Sequence, residues 1–486
     1  MAESTPRSQR REKWVERLIV ALAIGIALVS ARPYAGGWND GSRLATVETL
    51  IDQRMWAIDD STFVRVPQRH DSNTPLPYDP SVPSLLEHGT LDKLFIRGHY
   101  YSDKSPVPAL LMAGEYQLWK WTTGWTARAH PDRFCRSMTL ASSGLAYVLA
   151  VLYIYRLGRP LRLPLSLRLI LAGSFALATI ALPYTQQVNN HILLLAVTAA
   201  LVLQVAWLLD EEESGSVSRW RYAALGTLAG LGYTIDLGAG PVILLCTAGL
   251  IAGNQAKMFL RSVATRRRTS LLFFILAACP WLVLHHALNY SIGSSFKPAN
   301  ANPEYFLWPG SPFNVRNLTG GWAHDGPLSF LLYAASMIGG KRGFVGHNLP
   351  LFLVFPAVTI LLRNRENRQA VLWGLGCCGG TWLLYAPTSN NSSGQCCSIR
   401  WFVPLLAPAY YILALLLKHY PEYRIDFLVL SAWGVMLVLF MHEGPWITHM
   451  VPLFWPIQAA ALLSWAILHH FRRRATSLSA VSDASQ

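Results

Sequence analysis

The chain has 486 residues, of which 52% are hydrophobic and only 14% charged, and its mean hydropathy is +0.28. A soluble domain carries about 25% charged residues, so this composition excludes an ordinary soluble enzyme. The formal net charge of +14 raises nucleic acid or an acidic partner as candidates, and the placement of the basic residues decides against both.

Apolar runs that span a bilayer, or nearly so, recur at 15–33, 136–156, 167–184, 189–209, 220–236, 238–255, 269–288, 347–362, 369–387, 401–417, 425–441 and 450–470. A span takes about 20 apolar residues and tolerates about 17, so 238–255 and 347–362 are the marginal members. About 12 crossings put both termini on one side. The segments on that side, 1–14, 156–168, 210–221, 254–268, 363–368, 418–424 and 471–486, hold 23 Lys and Arg. The short segments on the other side, 185–188, 237, 388–400 and 442–449, hold only Arg400. Basic residues in short loops mark the cytoplasmic side. Both termini are therefore expected in the cytoplasm, and the net charge is a topology signal rather than a sign of nucleic-acid binding.

The first run follows Arg10, Arg11 and Lys13, as in a signal peptide, but no small-residue cleavage site follows it. The expected organisation is a cytoplasmic tail 1–14, a transmembrane domain 15–470, and a cytoplasmic tail 471–486 that lacks fixed structure from 475 onward. Two long outer segments, 34–130 and 289–346, interrupt the helix rhythm, and loops of this length are usually functional. In the first, Asn39-Asp40-Gly41-Ser42 precedes Leu44, Val47, Leu50, Ile51 and Met55 on one helical face. This spacing predicts an amphipathic helix on the membrane surface, with Asn39 or Asp40 as its N-cap. A second surface helix is expected from Pro106 to about Trp121, with Trp119, Trp121 and Trp125 suited to the interface.

The seven cysteines show no metal or redox spacing. Cys396-Cys397 is vicinal, and a strained disulfide or two free thiols both remain open, with thiols favoured. Gly374-x-Gly376-x-x-Gly379 matches a dinucleotide-binding pattern but lies inside a span with no preceding strand, so it is set aside. Gly226-x-x-x-Gly230 reads as close helix packing. Asn289, Asn317, Asn390 and Asn391 begin Asn-x-Ser/Thr sites on the outer side.

The polar residues that escape the spans gather on the outer face. Asp40 follows the first helix; Gly98-His99-Tyr100-Tyr101-Ser102-Asp103-Lys104-Ser105-Pro106 precedes the second surface helix; Asn189, Asn190, His191, Asp236 and Arg400 lie at span ends on the same side. From the residues alone, Asp40 reads as a helix cap, Lys104 and Arg400 as interfacial anchors, and Arg43 as a counter-charge one turn after Asp40. His99 and His191 read as structural histidines, Asp236 as a cap, and Asp59, Asp60, Asp92 and Asp103 as solvated or capping carboxylates.

An acid after the first helix, a surface helix, and a Tyr-x-x-Lys-Pro-Pro-like segment before the second helix resemble the GT-C membrane glycosyltransferases. The nearest branch is the one of protein O-mannosyltransferases and lipid A aminoarabinose transferases (glycosyltransferase family 39). Asn39-Asp40-Gly41-Ser42-Arg43, Ile58-Asp59-Asp60-Ser61 and the 99–106 string look like a bacterial subgroup of it. The motif match covers roughly 38–120, with weaker echoes at 341–350 and 398–406.

The resemblance implies an all-α polytopic membrane protein of GT-C type, with a large first extracytoplasmic loop bearing surface helices, in a bacterial cytoplasmic membrane. It implies transfer of one sugar, with inversion, from a polyprenyl-phosphate donor to a hydroxyl of a lipid, glycan or protein acceptor at the outer face. Asp40 maps onto the family's base and Lys104 onto its phosphate-contacting lysine. Arg400 and Arg43 join Lys104 as candidate phosphate ligands, with Arg97, His99 and Tyr101 as further substrate contacts. Two departures stand out. The family's Asp-Glu pair reads Asn39-Asp40, and its Lys-Pro-Pro reads Lys104-Ser105-Pro106. No cofactor is expected and the branch requires no metal. The chemistry of the residues is consistent, since such a transfer needs a base for the attacking hydroxyl and cations where charge builds on the leaving phosphate. The alternatives are a transporter or lipid flippase, which calls for ionisable residues within the spans, and an O-antigen ligase- or polymerase-like enzyme.

Overall fold

The computed structural model describes residues 6–67, 75–214, 217–260, 269–314, 318–447 and 449–484. Asn317 and the basic stretch 261–268 lie outside the described residues. The protein is mostly helical, and each of the twelve apolar runs carries helix. Among the described residues, five helices are long and apolar enough to cross a membrane: Pro131–Leu157, Asn190–Glu212, Ala239–Ala256, Ser270–Gly293 and Arg400–His419. The others are shorter, interrupted or more polar. Arg219–Ile235 and Arg424–Leu439 have 17 and 16 residues, and the marginal run at 347–362 is split into a 3-10 turn, Leu349–Leu353, and a short helix, Val354–Leu361.

The bundle is built around Arg400–His419, which is almost wholly buried and apolar all round, as a central helix must be. Ser270–Gly293 is its peripheral counterpart, with Leu272, Leu276 and Val283 exposed. Its inner side packs on Arg219–Ile235 through the small-residue pair, where a Cβ on Gly226 or Gly230 would meet the backbone of Phe274 or Ala278. That is the close backbone approach the spacing predicts.

The outer segments are folded, not open loops. The first carries the helix Trp38–Asp52, the short helix Pro83–His88, a hairpin of strands Lys93–Ile96 and His99–Ser102, and the helix Pro106–Thr123. Leu44, Val47, Phe63, Tyr78, Tyr116 and Phe134 share a core there, and Glu48 holds the loop below it through Ser61 Oγ (2.6 Å) and Thr62 N (2.9 Å). The Trp38–Asp52 helix is therefore not the half-wetted surface helix expected. Asn39 through Thr49 are all buried, because the hairpin and the Pro106–Thr123 helix cover the face that would otherwise meet water. A second core of Leu94, Ile96, Ile292, Ala299 and Phe306 pins the hairpin to the second outer segment, which also contains an unanticipated apolar helix, Pro327–Gly339. All seven cysteines are free thiols, Cys396 and Cys397 included.

Candidate active site

The hairpin explains how two distant acids meet. Lys93 pairs with Ser102 and Ile96 with His99, so a two-residue turn, Arg97-Gly98, joins the strands. Both turn residues have positive φ, 53° and 85°, which is the turn type whose twist suits a hairpin. With Lys93 opposite Ser102, the residues just outside the pairing are Asp92 and Asp103. They flank the next side chain, Lys104, whose Nζ donates to Asp92 Oδ2 at 2.7 Å and Asp103 Oδ2 at 2.6 Å. Ser42 of the Trp38–Asp52 helix locks the hairpin's open end, donating to the Asp92 carbonyl at 2.5 Å and meeting Ser102 Oγ at 2.6 Å.

These groups form part of the wall of a cavity of about 450 Å³. From the first outer segment Asn39, Arg43, Asp92, Asp103 and Lys104 line it. The span ends add Asn190, His191, Asp236, Tyr385, Arg400 and Trp401; the second outer segment adds apolar groups, among them Phe306, Phe313 and Leu318.

Its electrostatics are uneven. Lys104 is neutralised by its two acids, but no carboxylate lies within ion-pair distance of Arg43 or Arg400 among the described residues. Arg43 Nη1 donates only to Asn39, at 2.8 Å to its carbonyl and 2.5 Å to its side chain. Burial brings the guanidinium down to about 10, with Asp103 pulling back and Arg400 adding to the drop. Arg400 opens the 3-10 turn that starts the central helix, its backbone amide anchored on Ser393 Oγ at 2.9 Å, and its buried Nε has no hydrogen-bond partner among the described residues. Two under-paired guanidiniums on one cavity are suited chemically to an anion.

The two acids also differ. Burial works against the Asp92 carboxylate, but Lys104 outweighs it by charge and hydrogen bond and holds Asp92 below the ordinary carboxylate range. Burial pushes Asp103 above that range, with Lys104 opposing and Asp92 adding to the push. Of the two, Asp103 is therefore the stronger proton acceptor.

Asp40 sits elsewhere than the sequence suggests. It is fully buried and does not line the cavity. Its carboxylate accepts from Gly36 N at 2.7 Å and Gly37 N at 2.9 Å, at the start of the Trp38–Asp52 helix. Both of its oxygens are thus held by backbone amides, as in a helix cap. Its neighbour Asn39 is the residue that faces the cavity. Arg97, His99 and Tyr101 do not line it either: Arg97 forms the exposed hairpin turn, His99 Nδ1 lies 3.3 Å from Asp59 at the surface, and Tyr101 packs beside Phe306 and Ile292. The cavity thus unites Lys104, Arg43 and Arg400 and leaves out the other four candidates.

Sequence reasoning reads Asp92 and Asp103 as solvated or capping carboxylates and does not foresee their pairing through Lys104. The available signal was Arg97-Gly98 flanked by two four-residue runs of strand-forming residues, which marks a hairpin and so brings its flanking acids together.

No protein-family model and no curated protein matches the chain. Among solved structures it is similar to ArnT from Cupriavidus metallidurans bound to undecaprenyl phosphate, at 12% identity and a TM-score of 0.49, covering 94% of this chain and 74% of that one. It is also similar to the apo oligosaccharyltransferase of Archaeoglobus fulgidus, at 12% identity and a TM-score of 0.45, covering 94% of this chain and 55% of that one.

Proposed function

We propose that the protein is a membrane glycosyltransferase that moves a sugar from a polyprenyl-phosphate donor to an acceptor hydroxyl at the extracytoplasmic face, with inversion. The reading includes about twelve crossings, both termini in the cytoplasm and residence in a bacterial inner membrane. The observation that carries it is the meeting, on one cavity, of two under-paired arginines and a buried pair of acids bridged by Lys104. Arg43 and Arg400 hold the carrier phosphate and take up charge as it leaves. Asp103 accepts the proton of the attacking hydroxyl, whose oxygen bonds to the anomeric carbon as the carbon–phosphate-oxygen bond breaks, and the electron pair departs on the polyprenyl phosphate. Lys104 orients both acids, and the apolar wall of Phe306, Phe313 and Leu318 suits the first isoprene units. Asp40 caps the helix that presents Arg43.

The test is transfer from labelled polyprenyl-phosphate sugars in membranes containing the wild-type chain or its variants. Losing a general base costs roughly 10²–10⁴-fold, so Asp103→Asn should fall by at least 10²-fold, while Asp40→Asn should stay within about tenfold. Arg400→Ala should raise the donor KM. Full activity in Asp103→Asn would sink the assignment of the base. Export of the lipid-linked sugar by the wild type, without transfer, would favour a flippase.

A further inference from the structure

The cavity wall formed by the span ends is chemically distinct from the wall that carries the arginines and the paired acids. Asn190 and His191 open the helix Asn190–Ser214, are 7% and 3% exposed, and line the cavity. Asn190 Nδ2 donates to Asp236 Oδ2 at 3.0 Å, yet its Oδ1 has no partner among the described residues. His191 Nδ1 lies 3.3 Å from Asp236 Oδ2 but out of hydrogen-bond alignment, and it too has no other partner there. A buried polar atom without a partner costs about as much as a lost hydrogen bond, so native sites keep such atoms where a ligand or water supplies the missing one. Beside them Tyr385, stacked on Trp401 at 4.2 Å and 3°, directs its hydroxyl to Asp236 Oδ1 at 3.3 Å.

Among the described residues Asp236 is the only carboxylate on this wall, and it is already committed. Besides Asn190 and Tyr385, it accepts the amides of Gly238 and Ala239 at 2.9 Å each, as the cap of the following helix. A sugar ammonium would find no free counter-charge here and would lie near Arg400. A sugar carboxylate would find no cation beyond the two arginines that the phosphate takes. Hydroxyls, by contrast, match the unpaired acceptor on Asn190 and the imidazole of His191.

We infer that the Asn190–His191–Tyr385 wall is the subsite for the donor's sugar, and that it is built for an uncharged, hydroxyl-bearing sugar. This inference rests on the carrier-phosphate reading and adds the class of sugar to it. Groups that bind only hydroxyls discriminate strongly, because an analogue lacking them leaves buried polar atoms unpaired.

The experiment measures equilibrium binding of short polyprenyl phosphates to the full-length protein in detergent micelles, in four forms: bare phosphate, and phosphate linked to a neutral hexose, an amino-pentose or a uronic acid. The quantity read is the ratio of each sugar's affinity to that of the bare phosphate. The neutral hexose should bind at least tenfold tighter than bare phosphate, and the two charged sugars should show no such gain. Asn190→Ala and Tyr385→Phe should each abolish most of that gain while leaving bare-phosphate affinity within about twofold; the Tyr385 variant keeps the stacked ring and so guards against misfolding. Arg400→Ala should weaken all four forms alike. A gain for the amino-pentose that equals or exceeds the hexose gain overturns the inference, as does a hexose gain unaffected by both wall variants. If wild-type protein binds none of the four, the carrier reading falls and the inference with it.

Discussion

Asp40 shows how much one position in the chain decides. It lies one residue after Asn39, about 100° further round the helix, whereas Asn39 and Arg43, one turn apart, share a face. The side chain that faces the cavity is thus an amide bonded to Arg43, and the carboxylate is spent on Gly36 and Gly37. Burial raises Asp40 to about 7, although the amides of Gly36, Gly37 and Asp40 itself pull it down. Because the folded value lies above that of an unfolded aspartate, folding favours the protonated form. This contribution is complete below about 3.8 and is lost as the pH rises through about 7, a difference of about 4 kcal/mol at most. Burial raises Asp103 and Glu48 as well, and the sign is the same for each. The apparent Tm of the detergent-solubilised protein should therefore fall between pH 5 and pH 8. Asp40→Asn should flatten that slope measurably, and an unchanged slope would show that the carboxylate is not buried as described.

At the scale of elements, the hairpin turns separation in sequence into proximity. Its two strands bring Asp92 and Asp103 together only while the Arg97-Gly98 turn holds the register, and Gly98 at φ 85° is where an L side chain is strained. A residue forced into left-handed backbone costs roughly 1–2 kcal/mol, least for Asn. Gly98→Val should lower thermal stability by about that amount and reduce turnover, and Gly98→Asn should recover most of both. Equal turnover in the Val variant and the wild type would mean that the strand register does not position the acids. The same element marks the limit of what the sequence discloses. The helices are legible because one apolar run makes one helix, whatever lies around it, and the Trp38–Asp52 and Pro106–Thr123 helices were equally readable from period and proline. The pairing of Asp92 with Asp103 through Lys104 depends on register, and the burial of the Trp38–Asp52 helix depends on what lies above it. Neither is encoded in a local window. Lys104 is legible through the resemblance to the family's phosphate-contacting lysine, with Arg43 and Arg400 as further cations for the same phosphate; Arg97 and His99 follow from the same expectation, although their side chains point to solvent.

Across the whole molecule, charge separates the two ends of the bundle. Arg156 and Arg159 bond Glu16, the latter at 2.6 Å; Arg168 lies 3.3 Å from Glu12; and Arg162 bonds Asp210 at 2.8 Å. The last pair joins the far end of the helix that begins with Asn190 at the cavity. Twenty residues of helix rise about 30 Å, which is the thickness of a bilayer's hydrocarbon core. The cavity and the basic end thus lie one bilayer apart, and the basic end is the one expected in the cytoplasm. Single-cysteine labelling with a membrane-impermeant maleimide on intact cells tests this, scored against the parent chain. Arg65→Cys lies on the exposed surface of the first outer segment, where its ion pair with Asp60 is solvent-screened and contributes little. It should label without permeabilisation. Arg365→Cys, exposed on the short basic segment between Val354–Leu361 and Arg368–Thr388, should label only after permeabilisation. The reverse pattern would put the cavity in the cytoplasm. Labelling of both from outside would mean that the helices between them cross the membrane a different number of times, and the outer-face transfer would have to be abandoned.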